Sequence, residues 1–522
     1  MRQSKAVDAG GSARNAGTWE RGLAPVMLVV AVFAAAMPAF TAVAAPPSSS
    51  MSSGWGTAQL IEASSAPIGY EGVQLAVAPS GTAIAVWIQD DNSGRPSVWA
   101  NRFVPGTGWG TAALIGNSSS YWDDYFGPQG IYGPQVAMDA DENAFVVWYD
   151  YWGNIWASRF VPDDGWEAET MINYGSDIGY VANSYDPQVA VQAGGNAFVV
   201  WIGSDADYTY SCYDAYYYYQ WYDSCYVVWA NRYVAGQGWQ GAERVESQSG
   251  AHAWSADVAV DANGNAQVVW TQYTDETWDY SKVFANRYAS GTGWGTETAI
   301  SGLGLYDARP EVAMDGNGTA IAVWSQLDST SCWSLWANRD PAGTGWGTAE
   351  AIESLPYSSL GVQISMDSNG SAVVVWEQED SIRANRYVPG SGWQGQTRLD
   401  GSTRIDRLPP GHGDYSVATS PSVAVDAAGN AVAVWVKRPD SGSVYSVWAS
   451  RFTNGSGWGN AALVESNDTG SAFAPDVGVD ASGNAVAAWS QTNGTLTSAW
   501  ANQFTPPTDS GGGGKGGGGK KG

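Results

Sequence analysis

The stretch from Ala256 to Tyr288 decides how this chain is read. It runs ADVAVDANGNAQVVWTQ from Ala256 to Gln272, passes through a polar and aromatic interval, and resumes as KVFANRY from Lys282 to Tyr288. In VAVD, apolar and small residues alternate, Asn-Gly-Asn supplies positive φ for a tight turn, and AQVVW returns as a β-branched and aromatic strand. Seven further copies of this hairpin follow the same pattern: PQVAMDADENAFVVW from Pro134, PEVAMDGNGTAIAVW from Pro310, PSVAVDAAGNAVAVW from Pro421, PDVGVDASGNAVAAW from Pro475, and looser versions from Gly72, Pro187 and Gly361. Each copy ends on a tryptophan: Trp87, Trp148, Trp201, Trp270, Trp324, Trp376, Trp435 and Trp489.

Two more strands complete each unit. After a loop of variable length comes VWANRF (Val98 to Phe103) or a variant, ending with AWANQF (Ala499 to Phe504); a turn such as PGTGWG then leads into a strand of the type WGTAALI, Trp109 to Ile115. No segment beyond the leader sustains a 3.6-residue apolar period, and four short strands at a spacing of roughly 50 to 60 residues predict propeller blades. Lettered outward from the axis, VAVD is strand a, AQVVW is b, VWANRF is c and WGTAALI is d. The fourth-strand signature occurs at Trp55, Trp109, Trp166, Trp239, Trp294, Trp346, Trp393 and Trp458, so the first precedes any hairpin and none follows the last ANQF. Pairing that first strand onto Ala499 to Phe504 closes a ring, whereas a linear array would leave open edges at both ends. The expected fold is therefore all-β: an eight-bladed β-propeller of four-stranded antiparallel blades, closed by the N-terminal outer strand completing the last blade. The hairpin resembles that of NHL-type propellers, whose blades also begin with an IAVD-x-x-GN pattern, and the resemblance implies a fold rather than an activity.

The ends of the chain read differently. Arg2, Lys5, Arg14 and Arg21 precede an apolar run from Leu23 to Ala36, and Ala42-Val43-Ala44 fits a small-residue cleavage site, as in a secretory signal. The expected organisation is a signal peptide over 1–44, a short linker over 45–53, the propeller over 54–504, and a Gly/Lys-rich tail over 505–522. That tail resembles the Gly-rich spacer before the sorting segments of some bacterial surface proteins, which implies a secreted or cell-surface protein. The formal net charge is −27, and the leader's four basic and two acidic residues leave −29 on the remainder. So acidic a surface argues against nucleic acid and anionic membranes as partners and leaves neutral glycans, cationic ligands and solubility as its uses. Of three cysteines, Cys212 and Cys225 flank one insertion and are expected to pair, while Cys332 lies in a different loop and is left over.

Repeated residues have packing roles to fill. The strand-b tryptophans suit the wedge between blades, as do Trp99, Trp156, Trp229, Trp336, Trp448 and Trp500 on strand c. The ANR arginine invites pairing with the Asp that ends strand a, yet unit one has Pro79 and unit three Gln192 there, and the last unit has Gln503 for the arginine. A strict pair is thus not expected; the Asp caps its own turn. Ca²⁺ is possible at these turns, but D-x-N-G-N falls short of the carboxylate count of a calcium loop, and no cofactor is expected.

Function is sought in what does not repeat. The a–b and c–d turns hardly vary, whereas the b–c and d–a connections, which emerge together on the other face, vary widely. That face carries Tyr121, Trp122, Asp123, Asp124, Tyr151, Trp152, Trp254 and Trp278, and an insertion with Tyr216, Tyr217, Tyr218, Tyr219 and Trp221 inside the expected disulfide. Exposed aromatics among acids either bind a ligand or pack on one another as a cap. With two histidines, His252 and His412, His-based metal sites and Ser-His-Asp chemistry have almost no material. Sialidase-type propellers use an arginine cluster with Tyr and acid residues, whereas here arginines sit mainly on strand c and no S-x-D-x-G-x-T-W box occurs. The expectation is a monomeric, non-enzymatic binding protein, with glycans held by stacking aromatics and hydroxyl-binding Asp and Asn. The chain is similar to propeller lectins in being Trp-rich and repetitive. An extracellular protein scaffold is the alternative, and a carboxylate-based glycosidase the lesser one.

Overall fold

Each blade grows from an aspartate that folds its own hairpin. Asp261 Oδ1 accepts the backbone N–H of Asn263 at 2.8 Å and of Asn265 at 2.9 Å, and Gly264 turns the corner at φ 83°. Asp139, Asp315, Asp367, Asp426 and Asp480 make the same pair of bonds. The capping role read from the sequence therefore holds, and in blade 4 an ion pair is added to it, with Arg287 3.6 Å from Asp261.

The structure, a computed structural model, describes residues 54–507 except 63, 70, 92, 118–121, 124–126, 129, 176–178, 205–211, 214–220, 223–224, 247–251, 274–280, 303–306, 328–331, 356, 402–417, 439–443, 466–469 and 494. Among the described residues there is no helix, and the eight hairpins become eight antiparallel sheets in a ring, an eight-bladed β-propeller. Blade 4 is typical: Ala253–Val260, Ala266–Tyr273 and Ser281–Ala289 form strands a to c, with Gly293–Trp294 and Thr298–Ala299 outside them. The inner strands touch in sequence around the ring, and blade 1 (Gln74–Val77) meets blade 8 (Ala472–Val479). Closure is as expected: Gly54–Trp55 and Gln59–Leu60 pair with the last strand, Thr497–Thr505, with Trp55 opposite Phe504 and Leu60 opposite Trp500.

The outer strand departs from the sequence reading. Trp109 to Ile115 is not one strand but two pieces, Gly108–Trp109 and Ala113–Asn117, as in most blades. Asn101 of the ANR triplet reaches through the gap, its amide donating to Gly110 O at 3.2 Å and to Ile61 O of the preceding blade at 2.7 Å. The same inter-blade bond links Asn231 to Ile172 O, Asn286 to Val245 O, Asn338 to Ile300 O, Asn385 to Ile352 O and Asn502 to Val464 O. A buried amide that satisfies a neighbour's carbonyl fixes blade against blade.

The eight strand-b tryptophans are at most 1% exposed. Each faces the preceding blade: Trp148 packs with Ile84, Val86 and Ile115, and Trp87 with Val486 and Ala488. The strand-c tryptophans fill that wedge less than expected. Trp229 is buried, but Trp99, Trp156, Trp336, Trp448 and Trp500 are half-buried, because they stand one layer further out.

Candidate functional site

Blade 2 supplies the first wall of a cleft. Its strand b (Ala144–Asp150) ends in a buried carboxylate that closes the turn to Asn154. Asp150 Oδ1 accepts from Trp152 N at 2.9 Å and Asn154 N at 3.0 Å; Oδ2 accepts from Asn154 Nδ2 at 2.7 Å and Trp156 Nε1 at 3.0 Å. So held, the turn presents Tyr151 and Trp152 outward, 53% and 49% exposed, edge to face at 5.4 Å. Gly153, at φ 73°, lets the next connection approach so closely that a Cβ there would lie 2.7 Å from Asn183 Cα. That connection, from blade 2 to blade 3, is pinned by Asn173, whose buried amide donates to Gly153 O at 3.0 Å and Val181 O at 2.8 Å.

Between these pieces opens a cleft of about 280 Å³, on the face of the b–c and d–a connections. Its lining combines Tyr132, Tyr149, Tyr151, Trp152, Tyr185 and Tyr226 with Asp150, Asn183 and Ser184. The rings brace one another: Tyr132 and Tyr149 at 5.3 Å, Tyr185 and Tyr226 at 5.5 Å, Tyr226 and His252 at 5.6 Å. Burial raises the phenol pKa of Tyr149 and Tyr185. Both therefore carry their proton at neutral pH and can donate as well as accept. Outside the lining, two acids act on its tyrosines, Glu71 on Tyr149 and Asp186 on Tyr149 and Tyr185. Glu71 accepts from Gly133 N, and burial raises its pKa; burial likewise raises that of Asp186, partly offset by Arg309. Flat rings beside phenol, amide and hydroxyl groups are the equipment for a neutral polyhydroxylated ligand.

Of the residues expected to bind, the cleft gathers Tyr151 and Trp152. Trp254 is 37% exposed and stacks on Tyr273 at 5.6 Å, outside the lining. Trp122, Asp123, Trp221 and Cys212 lie on two-residue strands, and their side chains are outside the described residues. Tyr121, Asp124, Tyr216, Tyr217, Tyr218, Tyr219 and Trp278 also lie outside them. Cys225 is buried and disulfide-bonded. Sequence reasoning missed Tyr132, Tyr185, Tyr226, Asn173 and Asn183. A signal existed for two of these: Tyr132, Tyr185 and Trp254 occupy the same repeat position, two residues before Pro134, Pro187 and Ala256, where blades 5 to 7 carry Ala308, Leu360 and Thr419.

The fold and cleft define the chain as a propeller with an aromatic-lined site on its variable face. No protein-family model matches the chain, and no curated protein is similar to it. Among solved structures it is similar to the polysaccharide lyase Uly1 (10% identity, 78% of this chain and 93% of that one, TM-score 0.43). It is also similar to a leech intramolecular trans-sialidase (9% identity, 87% and 94%, TM-score 0.38) and to the Aleuria aurantia lectin (11% identity, 66% and 100%, TM-score 0.34). The first two are enzymes, and the expectation that this chain is not an enzyme is withdrawn on that finding. At such identities no substrate is inherited from any of them.

Proposed function

We propose that the protein is exported and binds carbohydrate at the cleft between blades 2 and 3. The observation that carries this reading is the lining: exposed Tyr151 and Trp152 on a turn locked by Asp150, facing phenol hydroxyls and the Asn183 and Ser184 side chains. Sugar faces stack on rings, and their hydroxyls need both donors and acceptors. Glu71 and Asp186, which act electrostatically on the cleft tyrosines, are the acids to test for turnover, so binding and turnover are measured together. A glycan array run on the protein without its first 44 residues tests the reading. Trp152→Ala and Tyr151→Ala should remove the signal, while Trp336→Ala, a half-buried strand-c residue far from the cleft, should not. An array without a hit, alongside a protein partner bound at one site per chain, would favour the scaffold reading instead. Release of sugar by the unaltered protein and its loss in Asp186→Asn and Glu71→Gln would extend the function to catalysis.

A further inference from the structure

The seams between blades follow one plan on the face of the a–b and c–d turns, opposite the cleft. The arginine that ends one blade's ANR or ASR triplet lies over a ring of the next blade: Arg159 over Tyr233 at 5.1 Å, Arg232 over Tyr288 at 4.6 Å, Arg386 over Phe452 at 5.1 Å. In blade 4 the guanidinium approaches the turn-capping Asp of its own blade and the turn glycine of the next. Arg287 Nη2 stands 3.6 Å from Asp261, and Nη1 donates to Gly318 O at 3.0 Å.

Three seams that keep their arginine depart from the plan; in blade 3 Gln192 replaces the capping Asp, and Arg232 lies 3.8 Å from Glu243. Blade 5 has Asp340 where the ring belongs, and Arg287 approaches that carboxylate at 3.8 Å. Blade 1 has Pro79 where the capping Asp belongs, and Arg102 pairs instead with Glu142, which also accepts the Ser80 and Thr82 hydroxyls at 2.8 Å. The closing seam, from blade 8 to blade 1, departs without compensation. Its ring is Phe103, its carboxylate Asp480 and its glycine Gly81, and a Cβ on Gly81 would lie 3.0 Å from Asp480 Oδ2, as Gly370 does to Asp315. In the arginine's place stands Gln503, and a cavity of about 170 Å³ opens there, lined by Phe103, Asp480, Gly81 and Gln503.

We infer that this cavity is a binding site for one guanidinium or alkylammonium group on a slim apolar stem. Other seams set a guanidinium over such a ring, the Arg287 seam sets one against a capping carboxylate, and the closing seam has ring and carboxylate with no arginine. A cation gains from a ring face and a carboxylate together, most of all when half-enclosed. Asp480 has capacity left: Oδ2 accepts Asn484 Nδ2 at 2.6 Å, as Asp261 Oδ2 accepts Asn265 Nδ2 at 2.6 Å while also facing Arg287. The cation has two sources. One is the chain's own tail, since Thr505 lines the cavity and Lys515 follows ten positions on, with Lys520 and Lys521 beyond; ten residues span up to ~33 Å. The other is an arginine or lysine side chain of another molecule.

Titration with n-propylguanidinium, followed by NMR, tests the site, with neutral n-propylurea as the shape control. The full chain should bind the cation saturably and the urea at least about tenfold more weakly. Gln503→Arg should fill the cavity, abolish that binding and raise the melting temperature. Phe103→Leu, which keeps the apolar bulk and loses the ring, should weaken binding and decides the matter if the arginine variant does not fold. Replacing Lys515, Lys520 and Lys521 together by Gln assigns the source. Tighter propylguanidinium binding places a tail lysine in the cavity, and unchanged binding places the cation on another molecule. The proposal is overturned if neither chain binds the cation, if propylurea binds equally, or if binding survives Gln503→Arg and Phe103→Leu unaltered.

Discussion

Trp270 and Trp152 put the same indole to opposite uses. Trp270 is fully buried among Val200, Val228 and Val268, and its Nε1 donates to Gln272 at 3.1 Å. Truncating it to Ala leaves a void and an unpaired Gln, so a loss of roughly 3–5 kcal/mol is expected in a denaturant melt. Trp152 stands on a turn that Asp150 holds through backbone and Asn154 bonds, none of which needs the indole. Trp152→Ala should therefore leave the melting temperature within a few degrees while removing ligand binding; unfolding instead would make the exposed aromatics a structural cap. Asn286 offers a third kind of residue. Its buried amide bridges to Val245 O of the preceding blade at 2.7 Å, and Asn286→Ala should cost about 1–3 kcal/mol, because it strands a carbonyl with no replacement donor.

Among elements, the split outer strand of blade 8 bears most on integrity. It is supplied by Gly54–Trp55 and Gln59–Leu60, while Ile61 is buried against Ala499 and Ala501. Deleting residues 53–62 exposes the edge of Thr497–Thr505 and uncovers that cluster. A lower melting temperature or aggregation is expected by light scattering, and an unchanged melt would argue that closure adds nothing. The connections show the opposite tolerance. At blade 6 the b–c connection is shorter than the three or four residues its spacing suggests: Gln378 pairs with Ser381, and Glu379 and Asp380 at φ 53° and 56° make a two-residue turn. A unit that closes with two residues there does not need an insertion for its fold, so the long b–c insertion of blade 3 is free to serve a ligand.

At the scale of the whole ring, the inner strands crowd their acids together. Asp257 Oδ2 accepts Val312 N of the next blade at 2.8 Å, Gln363 donates to Glu311 at 3.1 Å, and Ser422 donates to Asp476 at 2.8 Å. Asp257, Glu311 and Asp476 are half-buried. Burial pushes the Asp257 carboxyl up to about 6 and, together with Asp257 itself, pushes Glu311 well above the usual range, although Arg309 draws it down in part. Burial also raises Asp476 and, with Arg309 opposing, Asp186. A carboxyl that holds its proton more tightly folded than unfolded stabilises the fold at low pH and loses that contribution as pH rises through its folded pKa. Stability should therefore fall from pH ~4 to beyond pH ~6, on the order of 2 kcal/mol from Asp257 alone. Glu142 opposes the trend: despite its burial, Ser80, Thr82 and Arg102 hold it below the usual range. Melting curves across that range should flatten in the Asp257→Asn, Glu311→Gln pair; a profile that rises with pH would contradict the assignment.

What repeats in the chain was legible without coordinates. The period of the hairpins set strand number and blade count, and a lone leading outer strand set closure, because side-chain alternation and turn chemistry are local properties of a few residues. The capping role of Asp261 could be read for the same reason. What depends on which blade faces which could not. The Asn286 bridge looked like part of a triplet, since its acceptor lies 41 residues away. The split of the outer strand accompanies a side chain entering the ladder, an amide in most blades and the Ser158 or Ser450 hydroxyl in blades 2 and 7. The cleft was half legible: Tyr151 and Trp152 announced themselves on a turn, whereas Tyr132, Tyr185 and Tyr226 sit at strand ends like any packing residue until the ring brings their faces together. The cavity at the closing seam was hidden more deeply. Gln503 is an ordinary substitution in the sequence, and only the stacking of blade 8 against blade 1 turns a missing guanidinium into an empty receptor.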